Sequence, residues 1–227
     1  PEALAAKNGT TLTIKDDLSI LVSGENPDND NYTVTLRSDR EHITAVRLEA
    51  LPDDRLPKHG PGRVYYEGPF GDFFLSNIAI EIPDAQAKFV RASQSFASGG
   101  SNAMAAIDDN KQTGWSINGG QGKPHAAVFA LNQPLTAKSF TLLMLFERYY
   151  APGIGRFRLS VTTDPSAVNA PFLPSDVETA LLSLRSFRSR AAANAASLSE
   201  SEQQSAEAPY LKRLKQYFAT IAPELAS

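Results

Sequence analysis

The chain has no cysteine, which removes disulfides, thiolate nucleophiles, covalent haem attachment and cysteine zinc sites from its chemistry. Histidine is nearly as scarce, with only His42, His59 and His125. None of the three has a second histidine or a carboxylate at the spacing of a helical metal motif. His42 follows Arg40 and Glu41 in a turn, and His59 sits in Lys58-His59-Gly60-Pro61-Gly62, so both read as solvated loop residues. No apolar run approaches the ~20 residues that span a bilayer, so membrane insertion is not expected. Charge of one sign is also missing: 22 basic and 25 acidic side chains leave a net charge of −3. Without a basic stripe to collect phosphates, nucleic acid is not an expected partner. There is no Gly-x-Ser-x-Gly elbow and no phosphate-binding glycine loop. A glycosidase would need two carboxylates facing each other across a cleft, a pairing that no linear pattern displays. The chain is therefore expected not to be an enzyme. It opens Pro1-Glu2-Ala3-Leu4-Ala5-Ala6, with neither an initiator methionine nor the apolar core of a signal peptide. We read that opening as a cut inside a longer protein.

What is present is an ordinary globular composition, 42% hydrophobic and 21% charged over 227 residues. That length accommodates a β-sandwich of about 150 residues with an appendage. Leu12 and Ile14, then Leu18, Ile20 and Val22, alternate with period two, and each run offers one face to a core. Ser23 to Asn31 is a polar turn cluster. Further strands are predicted at Tyr32–Leu36, Ile43–Leu51, Phe73–Ile82, Lys88–Phe96, Ala126–Leu131, Ser139–Glu147 and Phe157–Thr163. About nine strands at this spacing, with no helix between them, predict a mostly β protein, an antiparallel jelly-roll sandwich over residues 1–164.

After Asp164 the composition changes. Pro165, Pro171 and Pro174 mark a linker, and Ser175-Asp176-Val177-Glu178 reads as a capping box. Val177, Leu181 and Leu184 follow at helical spacing. A second helix is predicted to begin at Ser199, with Glu202 closing its cap, or at Pro209 as its first residue. Leu211, Leu214, Phe218 and Ile221 would form its apolar stripe. Residues 165–227 are thus expected to be a linker and a two-helix segment, docked on the sandwich or leading to a further domain.

The segment Ala106-Ile107-Asp108-Asp109-Asn110-Lys111-Gln112-Thr113-Gly114-Trp115 crowds oxygen-bearing side chains into a tight loop ahead of an aromatic. Such oxygens suit a hard cation such as calcium. The same residues also suit an Asx-turn, in which Asp108 and Thr113 satisfy loop amides and Trp115 plugs the end of the sandwich. Ala-Ile-Asp-x-Asn-x-x-Thr-x-Trp resembles the loop signature of the galactose-binding-like jelly rolls, among them discoidin domains and many carbohydrate-binding modules. The resemblance implies structural calcium held by Asp108 and Thr113. It also puts Asn77, in Leu75-Ser76-Asn77-Ile78-Ala79-Ile80, where those folds carry a glutamate ligand. Asp109 replaces their usual glycine, so the turn is expected to differ, and the matching strand precedes the loop, which implies a rearranged strand order.

Longer strings extend the resemblance. Ile43 to Asp53, Leu56-Pro57, Gly60 to Arg63 and Phe74 to Ser76 make one block. Thr113 to Trp115, Gly122 to His125 and Gly155 to Thr162 make a second, and Tyr217 to Leu225 fits as well. Together these resemble a domain of large exported planctomycete proteins that also carry a haem-type cytochrome domain. This implies a periplasmic or cell-surface setting, the parent's other domains as partners, and a polysaccharide-related role.

The residues offer chemistry for that role. Sugar rings stack apolar C–H faces on aromatics, and their hydroxyls need planar or charged partners. Tyr65 and Tyr66 sit in one Gly/Pro-bounded loop, and Arg148, Tyr149 and Tyr150 sit beside Pro152-Gly153. These five are the candidate glycan contacts, because recognition is usually mounted on sandwich loops. Arg63 and Arg156 are read as braces for loop carboxylates such as Asp53 or Asp54. The expected function is a non-catalytic carbohydrate-binding module. The alternative is a ligand-free structural or docking domain within a multidomain redox protein.

Overall fold

The computed structural model describes residues 1–63, 70–83, 86–148, 153–165, 177, 180, 184 and 200–221. The chain divides into two compact units, Pro1–Phe172 and Leu173–Ser227.

The first unit is a mostly β, antiparallel sandwich. Strands β1 (Ala3–Ala6), β4 (Asp30–Arg37), β7 (Asn77–Glu81) and β11 (Ser139–Phe146) form one sheet in the order β1-β4-β11-β7. Strands β2 (Thr10–Ile14), β3 (Ile20–Gly24), β5 (Ile43–Ala50), β8 (Phe89–Gln94), β10 (His125–Leu135) and β12 (Arg156–Thr162) form the other, in the order β2-β3-β12-β5-β10-β8. The two-residue strands β6 (Phe74–Leu75) and β9 (Trp115–Ser116) pair with each other.

Alternation determines which side chains meet between the sheets. Tyr32, Val34 and Leu36 of β4 and Phe140, Leu142, Met144 and Phe146 of β11 all point into one core. The threonines between them face out, and Thr35 and Thr141 hydrogen-bond through their hydroxyls at 3.1 Å. From the six-stranded sheet come Val46, Leu48, Ala127, Phe129 and Phe157. Each fully buried aromatic or branched side chain contributes about 1.5–3 kcal/mol relative to exposure. Trp115 is buried in this core, edge-on to Phe73 at 4.9 Å between centroids, and donates its indole N–H to Phe96 O at 2.9 Å.

Several expectations are corrected. Leu18 lies outside any strand: it has φ +63° and is 66% exposed. The β2–β3 hairpin turns there, with Leu18 N donating to Lys15 O and the Asp17 carboxylate accepting from Ser19 N and Oγ. Side-chain turn chemistry overrides the apolar alternation. Phe73–Ile82 breaks at Ser76 into β6 and β7. Ala3–Ala6 is an additional edge strand on β4, built of small residues that give little periodic signal.

In the second unit a helix runs over Glu200–Ile221. Pro209 lies inside it and not at its start, and Ser199, the other expected start, lies outside the described residues. Val177, Ala180 and Leu184 are helical and buried, and Val177 and Leu184 cluster with Leu214, Tyr210, Leu211 and Tyr217. Leu181 lies outside the described residues. Among the described residues no helix is long and apolar enough to cross a membrane.

Candidate functional site

Strand register gathers the long connections at one end of the sandwich. Asp30 of β4 pairs with Phe146 of β11, and β7 begins beside them at Asn77, opposite Leu145. In the other sheet Ala50 pairs with both His125 and Phe157. Tyr32 joins the two ends, with its ring 4.6 Å from Phe146 and stacked 6.0 Å from Phe157. The β5–β6, β8–β10 and β11–β12 connections therefore all emerge together.

These connections are tied to one another by a few buried groups. The Asp72 carboxylate accepts from Phe73 N at 2.7 Å, Ile117 N at 3.0 Å and Ser116 Oγ at 2.8 Å, linking the first connection to the second. Burial pushes Asp72 up to about 6, against those three hydrogen bonds, which favour the anion. His125 is buried, its Nε2 bonded to Gly120 O at 2.6 Å, and burial lowers its pKa, so it is a neutral structural donor. His59 is exposed beside Asp54 at 3.0 Å.

The first connection also meets the third. Gly62 and Ile154 form an isolated antiparallel bridge, and Arg63 N donates to Gly153 O at 3.0 Å. Gly62 is required by this packing, because a Cβ there would sit 1.7 Å from Asp72 O. Tyr65 and Tyr66 follow this bridge in the chain, and Tyr149 and Tyr150 precede it. The four tyrosines themselves lie outside the described residues. Arg148 is described. It donates to Gln112 O and places its guanidinium 5.5 Å from the Phe74 ring centre, while neighbouring Glu147 pairs with Lys111 at 3.4 Å. Arg148 thus lies against the Asp108–Thr113 loop, a contact that nothing in its sequence neighbourhood announces.

Within that loop Thr113 Oγ1 stands 2.9 and 2.8 Å from the two Asp108 oxygens and 2.7 Å from Asn110 O. Asn110 N donates to Asp108 Oδ1 at 2.9 Å, which is an Asx-turn. Asp109 has φ +61°, so it adopts the left-handed conformation that a glycine would take there. A threonine hydroxyl has one proton, and three oxygens compete for it. This oxygen-rich knot suits a hard cation, although calcium takes six to eight oxygens and the loop alone supplies fewer. Asn77 lies in β7 and lines, with Ile107 and Asp109, a depression beside the loop. Among the described residues no three His, Cys, Asp or Glu side chains gather as a metal group.

Arg156 is the brace the sequence suggests. It reaches Asp17 at 2.7 Å, Asp53 at 3.4 Å and Ser19 Oγ at 3.0 Å. Asp17 and Asp53 are both held below the usual carboxylate range, Asp17 chiefly by Ser19 and Asp53, at about 2, chiefly by Arg55. Arg63 differs from that expectation, because it grips the backbone carbonyls of Gly24 and Glu25 instead of a carboxylate. No protein-family model matches this chain, and neither the curated proteins nor the solved structures yield a match.

Proposed function

We propose that this chain is a non-catalytic module that binds a polysaccharide at the loop end of its sandwich, within a larger periplasmic or cell-surface protein. The observation that carries the reading is the bridge between Gly62 and Ile154, with its Arg63 N to Gly153 O hydrogen bond. In the sequence every candidate tyrosine is within five residues of Gly62 or Ile154. The bridge thus joins the two chain segments in which the tyrosine pairs occur, remote in sequence, and Arg148 contacts Gln112 of the Asp108–Thr113 loop. Aromatic faces brought near one another are what successive sugar rings need. A glycan-array screen of the chain, followed by calorimetric titration, tests the reading. Single Tyr→Ala changes at 65, 66, 149 and 150 should each weaken binding several-fold without unfolding the domain, since one sugar–ring stack is worth about 1 kcal/mol. Unchanged affinity in all four would remove this surface and favour a ligand-free docking domain.

Calcium at Asp108 and Thr113 belongs to the same proposal, supported by the oxygen-rich knot, while Asn77 is assigned to the ion by resemblance alone. An ion bound only to the native state raises stability by mass action. Chelation should then lower the melting temperature, added calcium should restore it, and Asp108→Ala should remove the dependence. A melting curve indifferent to chelator would leave the loop as a plain Asx-turn.

A further inference from the structure

Arg63 is an internal cation answered by neutral dipoles. It is 6% exposed, and one guanidinium nitrogen donates to Gly24 O and Glu25 O, both at 2.9 Å. Glu25 contributes its backbone carbonyl here and not its carboxylate. Burial raises the pKa of the Tyr32 hydroxyl, and the Arg63 charge acts to lower it against that larger effect. Backbone carbonyls take two of the guanidinium's five N–H donors, and its positive charge meets no ion-pair partner among the described residues. Its neighbours differ: Arg55 holds Asp53, Arg156 holds Asp17 and Arg158 holds Glu49, each at 2.7 Å. A desolvated charge without a counter-charge is costly, and an arriving anion would offset that cost.

The surroundings give an anion access. Arg63 and Arg55 line, with Gly24 and Leu56, a depression of about 230 Å³. That is smaller than the 300–1,000 Å³ typical of whole small-molecule sites, and suits one substituent of a longer chain. The stem of Arg63 is fixed, since a Cβ on Gly155 would come within 3.0 Å of its Cγ. Its backbone N–H donates to Gly153 O beside the Gly62–Ile154 bridge. The depression therefore adjoins the Gly62–Ile154 bridge through Arg63 itself.

We propose that Arg63 receives a carboxylate carried by the glycan, which makes the ligand class an acidic, uronate-containing polysaccharide. A planar carboxylate matches the guanidinium fork in a way that sugar hydroxyls do not. This inference rests on the carbohydrate-binding reading, and the test separates the two. Oligosaccharides of galacturonate, glucuronate and mannuronate, each paired with its carboxyl-reduced neutral counterpart, are titrated calorimetrically into the full chain. The acidic member of at least one pair should bind about tenfold more tightly, and the preference should shrink at high salt. Arg63→Gln should abolish the preference. Because Arg63 also braces the Gly24 turn, the exposed Arg55→Gln is measured alongside and should reduce the preference two- to threefold while the sandwich still unfolds in one cooperative transition. Equal binding of acidic and reduced members would overturn the inference and leave the carbohydrate reading standing. A preference that survives both substitutions but vanishes in Arg148→Ala would also overturn it. Binding of none of the six would overturn both.

Discussion

At the scale of single residues, Asp72 is the group whose chemistry departs most from its surroundings. Its carboxyl is raised to about 6, while an unfolded aspartate titrates near 3.8. The native state therefore holds a proton that the unfolded state has released between those values. The linked stability is fully present below about pH 4 and is lost as pH rises through about 6. Two pKa units correspond to about 3 kcal/mol as an upper figure. Asp72→Asn keeps an acceptor for Phe73 N and Ile117 N and can donate to Ser116 Oγ, so it should fold. The difference in melting temperature between wild type and variant, followed from pH 4 to pH 7, should change in the variant's favour as pH rises. A pH-independent difference would mean that Asp72 titrates as an ordinary carboxylate.

At the scale of elements, the site depends on connections, and Gly62 is the tightest point among them. With Asp72 O 1.7 Å from where its Cβ would lie, Gly62→Ala must displace backbone. It should cost about 1–3 kcal/mol, and because it moves the base of the tyrosine loops it should also weaken glycan binding. A denaturant melt that leaves the variant as stable as wild type would contradict that packing. The strands around it were largely readable in advance. β4 and β11 bury every second residue, a signal that any period-two reading detects. β9 escaped because two residues have no period, and β1 escaped because alanines hardly distinguish inside from outside. Leu18 misled because its side chain is apolar while the Asp17–Ser19 contacts turn the chain there.

At the scale of the whole molecule, each unit carries its own apolar cluster. The sandwich core draws on residues from Leu4 to Val161, and the helical cluster on Val177, Leu184, Tyr210, Leu211, Leu214 and Tyr217. The last sandwich strand ends at Thr162, and Thr44 Oγ1 donates to Asp164 O at 2.7 Å just beyond it. A chain ending at Asp164 should therefore unfold in one cooperative transition, within a few degrees of the full chain. A broad or absent transition in a thermal melt would show that the helical segment is needed to hold the sandwich together.

Alternation, turn residues and composition specified the fold class, because burial of one face per strand is a local property written every second residue. The Asx-turn of the Asp108–Thr113 loop was legible for the same reason, because its contacts close within six residues. The site was not local. The Gly62–Ile154 bridge, the Arg148 contact with Gln112 and the grip of Arg63 on Gly24 and Glu25 join segments remote in sequence. Those meetings follow from strand order and register, which place the long connections at one end. No spacing in the chain encodes them, because the cost and gain of each contact exist only once both sheets have closed on their common core.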